Sequence, residues 1–340
     1  MKHVIALDGS GDFTSLQAGV DAAAPGDEIL LRPGVYRERV VVHRDGLRIV
    51  GDDGAVVTGS GCAKDTYPDG REKGTFLSAT LLVLGDDVTV ENLTVRNDAG
   101  DGRKVGQAVA VYAAGDRGLW KRCRLIAHQD TLFCGPVMPK VLNEIAPRTM
   151  NTVTCVDSVG DCPPTRERQC FVNCTIQGDV DFIFGPYRCW FEGCTLVMNP
   201  AGGWYTAANT PEEQPWGLVF RDCRLTGACD AGAGILGRPW RSWARTLFLA
   251  CDMDEHVNPV GFEDWRNWDG VRPVTRRCGE WGTTGARADL STRHPGQAIL
   301  TDAEAALVTP EAVLDGWKPV QSMLLYGHPA GGYTMNKTRA

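Results

Sequence analysis

Two aspartates stand at matching places in a repeated stretch of this chain. Asp181 lies seven residues beyond Cys174 in Gln169–Gly185, an otherwise apolar run that also carries Phe171 and Ile176. Asp130 lies seven residues beyond Cys123, after Trp120 and Leu125. A carboxylate in an apolar run is costly unless it is paired or hydrogen-bonded. If the two copies of the template are neighbours in space, the acids meet, and close carboxylates cannot both stay ionised cheaply. One pKa should rise while a cation holds the other down. Such a pair supplies an acid and a base, or an acid and a nucleophile. It equally suits a retaining glycosidase, whose two carboxyls stand about 5 Å apart, or a structural acid pair satisfied by backbone amides. Spacing alone does not choose.

The template itself recurs. Val90-x-x-Leu93-x-Val95 is followed by Trp120-x-x-Cys123-x-Leu125 and Phe171-x-x-Cys174-x-Ile176. Then come Phe191-x-x-Cys194-x-Leu196, Phe220-x-x-Cys223-x-Leu225 and Phe248-x-x-Cys251-x-Met253. Most copies lie 20 to 30 residues apart, the period of a solenoid whose coils each add one layer. Strands too short to bury themselves must stack, which gives a parallel β-helix with internal ladders of cysteine and aromatic side chains. One interval is anomalous: 51 residues separate Cys123 from Cys174. The segment 134–167 between them holds Pro136, Pro139, Pro147, Pro163 and Pro164 and reads as a long loop inserted into an ordinary coil. Removing it makes the two coils adjacent and sets Asp130 beside Asp181, at an inter-strand spacing of about 4.8 Å.

Composition bounds the rest. Forty glycines, nineteen prolines and many short aliphatic runs in 340 residues favour strands and turns over long helices. Strands are expected at residues 4–7, 28–31, 39–42 and 47–50. A short helix should open at the capping-box pattern Thr14–Gln17, and two more near Thr301–Glu304 and Thr309-Pro310. A single domain is expected over 1–326, with 327–340 as a loose tail. The net charge of −7 argues against nucleic acid or an anionic membrane as partner, so a polyanionic substrate must be met by local arginines. The thirteen cysteines are odd in number and lack C-x-x-C or matching histidine spacing; neither disulfides nor a metal site is expected, and no cofactor. No apolar run nears the ~20 residues of a membrane span, and no h-region follows Met1. The chain is therefore expected to be cytoplasmic, or secreted if Met1 was added to a processed form, and monomeric.

Four blocks carry a resemblance. Gly106–Val111 with Gly115-Asp116-Arg117, His128–Phe133, Asp179–Gly185 and Leu236–Trp240 resemble the signature blocks of the pectin methylesterases (pectinesterases) in order and spacing. Asp8–Thr14 and Leu300–Ala306 extend the resemblance over nearly the whole chain. It implies an all-β, single-stranded right-handed parallel β-helix with short terminal helices. It also implies hydrolysis of the methyl esters of galacturonate units in pectin or methylated oligogalacturonides. Carried over by residue, Asp181 is the nucleophile and Asp130 the general acid, then base. Gln107 and Gln129 donate to the oxyanion, and Arg238 pairs with Asp181. Trp240 offers a wall for a sugar ring, Trp265 a second, and Val180 and Tyr205 further substrate contacts.

Each role has its own chemistry: an arginine fork orients and acidifies a carboxylate, and amide donors stabilise developing charge. Taken singly, Gln107 and Gln129 would serve as well in a polar ladder, and Arg238-Pro239-Trp240 in a surface turn. His128 reads as a flanking residue, and His256 and His294 carry no motif. No G-x-S-x-G elbow supports a serine route. Two departures touch the substrate subsites: Gly261-Phe262-Glu263-Asp264-Trp265 lacks the family's first tryptophan, and Ala208 replaces its glutamine. The missing leader and the thiol-like cysteines suggest short imported methylated oligogalacturonides as substrate. The rival readings are a backbone-cleaving polygalacturonase or lyase, and a non-catalytic glycan-binding solenoid.

Overall fold

The computed structural model describes residues 1–145, 165–267 and 270–319. Each coil of the chain lays one strand in each of three parallel sheets, of eleven, nine and seven strands, giving a right-handed parallel β-helix. One such coil comprises Gly118–Lys121, Arg124–Ile126 and Leu132–Cys134; the next comprises Arg168–Val172, Thr175–Gly178 and Ile183–Gly185. These two coils pair strand for strand, Trp120 with Phe171, Leu125 with Ile176 and Leu132 with Ile183. These two coils are therefore neighbours although 33 residues separate their nearest strands. The first part of the intervening segment forms a helix, Pro139–Ile145, with Val141 packed beside Tyr112 and Phe133 on the outside of the seven-stranded sheet. Residues 146–164 and the expected tail 327–340 lie outside the described residues.

The recurring template is one corner of the coil. Its aromatic ends a strand of the first sheet, and its cysteine begins the turn into the second. The residue before the cysteine position adopts a left-handed conformation in coil after coil: φ is 55° at Asn92, 52° at Arg122, 53° at Asn173, 51° at Asp222 and 50° at Ala250. That single reversal turns the next side chain back into the core, which fixes the three-residue step from aromatic to cysteine. The rings of Trp120, Phe171, Phe191, Phe220 and Phe248 stack at 5.7, 4.6, 4.4 and 4.6 Å, all within 14° of parallel. Stacked pairs contribute about 0.5–1.5 kcal/mol each beyond the area they bury. Each thiol reaches back to the coil before it: Cys174 Sγ lies 3.5 Å from Trp120 O, Cys194 Sγ 3.5 Å from Phe171 O and Cys223 Sγ 3.6 Å from Phe191 O. The cysteines among the described residues are free, and burial pushes the Cys123 and Cys251 thiols well up.

A solenoid must close its two ends. At the first, the helix Leu16–Ala22 buries Leu16 and Val20 against Ile5 and Ile29. The capping box expected at Thr14 does not form. Ser15 is the N-cap, and Gln17 instead accepts from the Val41 amide at 2.7 Å, tying the helix to the next coil. Glu38 takes the place of the box, accepting from the Leu16 and Gln17 amides at 2.7 and 3.0 Å. Near the other end the Thr301–Glu304 box and the Thr309-Pro310 start are both present, on Asp302–Ala306 and Pro310–Val313.

The aromatic column stops at a charge. Glu280 pairs in register with Phe248, fully buried. It receives Arg293 Nε at 2.6 Å, Gln297 Nε2 at 2.9 Å and Thr283 Oγ1 at 3.0 Å. Removing one partner of a buried ion pair strands the other. Glu280→Ala should therefore lower the unfolding free energy by about 3–5 kcal/mol in a denaturant titration.

Candidate active site

The turns leading into the seven-stranded sheet carry the two aspartates. Leu132 pairs with Ile183, so Asp130 and Asp181, each two residues earlier, hold the same position on adjacent coils. The Asp130 amide donates to Val180 O at 3.0 Å, which locks the two turns together. Both aspartates have left-handed φ, 65° and 51°, a region rarely used by non-glycine residues and most accessible to Asp and Asn. Both side chains are almost enclosed, with the residues 8% and 7% exposed.

Arg238 approaches from the coil beyond. The strand Gly234–Gly237 ends at a glycine whose absent side chain matters: a Cβ on Gly237 would sit 2.0 Å from Thr206 Oγ1. This close approach lets the Arg238 amide bond Thr206 O at 3.0 Å and aims its side chain at Asp181. The guanidinium forms a fork, Nε to Oδ1 at 2.9 Å and Nη2 to Oδ2 at 2.7 Å. Burial raises the Asp181 pKa, and the Arg238 hydrogen bonds and charge oppose that rise. Among the described residues Asp130 has no such partner. Burial, then the Asp181 charge, pushes its carboxyl well above the usual carboxylate range. The two environments thus differ: both push the carboxyl pKa upward, more strongly at Asp130, and the Arg238 fork opposes the push directly at Asp181.

The Gln129 side chain lies beside the Asp130 carboxyl and slightly opposes the rise of its pKa. Gln107 lies one coil back, where the neighbouring Ala108 amide donates to Gln129 O at 3.1 Å; both glutamines are half-buried. His128, read as a flanking residue, braces the site from behind. Its Nδ1 lies 2.9 Å from Asp179 Oδ2, and Asp179 also accepts from the Val180 amide at 2.8 Å and from Asn199 at 3.2 Å. The Asp179 hydrogen bond raises the His128 pKa.

The expected substrate contacts divide. Val180 is half-buried and lines a groove of about 350 Å3 together with Gln129, Asp179 and Trp204. Trp240 is half-buried, with its edge on Phe184 at 5.9 Å. Trp265 has one face taken by the Arg238 guanidinium, 4.2 Å away. Tyr205 is corrected: it is fully buried, packs on Phe182 at 5.1 Å, and its hydroxyl meets His256 Nε2. Its strand alternates, so Tyr205 points into the core, and the outward neighbour Trp204 faces the site instead. Trp204 was not singled out from sequence, although the two-residue period of a strand offered the signal.

The family model described as Pectinesterase matches residues 2–136 and 164–316, leaving out the proline-rich insertion. Probable pectinesterase/pectinesterase inhibitor 6 of Arabidopsis thaliana is 32% identical over 92% of this chain and 52% of its own length. Pectinesterase 1 of Citrus sinensis is 32% identical over 92% of this chain and 50% of its own. The chain thus spans about half the length of the curated relatives it matches. Among solved structures, a pectin methylesterase in complex with a hexasaccharide superposes with a TM-score of 0.76 at 28% identity, covering 93% of this chain and 97% of that one. The pectin methylesterase from carrot gives 0.75 at 27%, covering 94% and 95%. These relatives overturn the cytoplasmic location expected from the N-terminus: plant pectinesterases are cell-wall enzymes and bacterial ones are secreted. With the family model matched from Lys2 to Gly316 on both sides of the insertion, the chain belongs to the pectinesterase family.

Proposed function

We propose that the chain hydrolyses methyl esters of galacturonate units in pectin or methylated oligogalacturonides and releases methanol. The observation that carries this reading is the Arg238 fork on Asp181, with the buried Asp130 at the same position on the adjacent coil. An Asp181 oxygen attacks the C6 ester carbon, and the carbonyl electrons move onto oxygen. Side-chain amides of Gln107 and Gln129 donate to that oxyanion. Collapse breaks the bond to the methoxy oxygen, which takes the Asp130 proton and leaves as methanol. Asp130, now ionised, removes a proton from water as its oxygen attacks the acyl-enzyme. The second collapse frees the Asp181 carboxylate and the galacturonic acid, whose proton passes to solvent. Trp240 and Val180 flank the sugar that presents the ester.

The test is incubation with highly methylated pectin while following methanol, acidity and chain length. Methanol with unchanged chain length is the expected result. Shortened chains without methanol would replace this reading with a backbone-cleaving enzyme, and neither product would leave a glycan-binding solenoid. The glutamines give a finer check. Gln129→Ala should lower kcat by about 10²–10³-fold, the usual cost of one oxyanion donor, with a smaller change in KM; an unchanged kcat removes Gln129 from that role.

A further inference from the structure

The Arg238 guanidinium is held between two indoles. Its Cζ lies 3.8 Å from the Trp204 ring centroid and 4.2 Å from that of Trp265. The two walls differ. Trp204 belongs to the strand Gly203–Ala208, within the β-helix itself, and its register with Asp181 follows from the pairing of Ile183 with Thr206. Its amide donates to Asp179 O at 2.9 Å, and its indole Nε1 donates to Glu263 Oε2 at 2.9 Å. Trp265 sits on a two-stranded ribbon outside the coils, paired with Arg272, and among the described residues its indole nitrogen is buried with no hydrogen-bond partner. Trp204 is therefore the anchored wall.

We propose that Trp204 is a positioning residue: with Glu263 holding its ring, it fixes the plane of Arg238 and so the aim and ionisation of Asp181. An arginine side chain has several rotatable bonds, and a two-point fork forms only when the plane of its head matches the carboxylate. A ring stacked on one face removes the out-of-plane freedom and adds cation–π attraction that strengthens as the pair is desolvated. Trp204 meets both conditions, because it neighbours Asp181 on the adjacent coil and presents its face to the guanidinium.

The inference rests on the proposed esterase reading, and its test separates the two. Wild-type protein, Trp204→Ala, Trp204→Phe and Glu263→Ala are assayed for methanol release across pH. In parallel, the Asp181 carboxyl carbon is titrated by NMR in aspartate-labelled protein without substrate. Trp204→Ala should lower kcat about tenfold with KM nearly unchanged. It should also move the acid limb of the kcat profile and the Asp181 titration to higher pH. Trp204→Phe keeps a ring over the guanidinium and should recover most of the rate. Glu263→Ala keeps the tryptophan but frees it, and should shift both readouts the same way by less; it decides the matter if Trp204→Ala does not fold. A folded Trp204→Ala protein with unchanged kcat and Asp181 titration overturns the inference. So does a change in KM alone, which would make Trp204 only a wall for substrate. Absence of methanol from the wild type would defeat the esterase reading, while the NMR titration would still decide whether Trp204 acts on Asp181.

Discussion

Asp181→Ala should abolish methanol release, lowering kcat by at least about 10⁴-fold, the scale seen when a covalent nucleophile is removed. The prediction is larger than for any other residue because no neighbour can stand in. Burial, the largest cause of the raised Asp130 pKa, persists in the variant, and the Arg238 fork is aimed at the vacated position, not at Asp130. Asp130→Ala should cost less, about 10²–10⁴-fold, since water can protonate a departing methoxide poorly but not replace the attack. Loss of fold will not confuse the result. The folded-state pKa of Asp181 is raised, so above the unfolded pKa its ionised form is held less well by the fold than by water. Deleting that carboxyl relieves its burial but costs the fork; Arg238, with its side chain 19% exposed, still reaches water and keeps the faces of Trp204 and Trp265, so the thermal midpoint should stay near that of the wild type. Methanol release by Asp181→Ala at the wild-type rate would end the nucleophile assignment.

How much of this was legible in the sequence depends on whether a residue's neighbours are set by the repeat. The aromatic and cysteine ladders were, because one left-handed turn per coil imposes the same spacing each time. The meeting of Asp130 and Asp181 followed, once the 51-residue interval was recognised as a coil plus an insertion. Features that depend on which side of a strand faces out were lost. The resemblance makes Tyr205 a substrate contact, yet alternation buries it and turns Trp204 outward. The end of the aromatic column was hidden similarly. Trp281 looks like its continuation, but register places Glu280 at that position, where only Arg293, Gln297 and Thr283 make a buried charge tolerable. The Arg238 clamp was invisible for another reason: it joins a coil strand to an outlying ribbon, and no repeat links the two. At the first helix, Thr14 and Ser15 both offer a cap, and the choice was made by Glu38 from another coil.

Arg238→Ala should lower kcat at neutral pH by about 10²–10³-fold, with a deficit that depends on pH. In the proposed mechanism the working state has Asp181 ionised and Asp130 protonated. Activity should therefore fall in acid as the pair takes up a proton and in alkali as it loses one, in a bell whose limbs belong to the pair. Arg238 opposes the burial that raises Asp181, by direct hydrogen bonds and by charge, and it also lowers Asp130 through charge alone. Removing it raises both pKa values, so both limbs move to higher pH, and the acid limb moves further because the direct bonds are lost there. The deficit should accordingly shrink as pH rises from the acid side. Arg238→Lys separates the two contributions. An ammonium keeps the charge but cannot form the planar fork or lie flat between Trp204 and Trp265. Its acid limb should stay nearer the wild-type position while its plateau stays low. An Arg238→Ala deficit that is constant across pH would mean that Arg238 aims Asp181 without governing its charge. A shift of the alkaline limb alone would exchange the roles of the two aspartates.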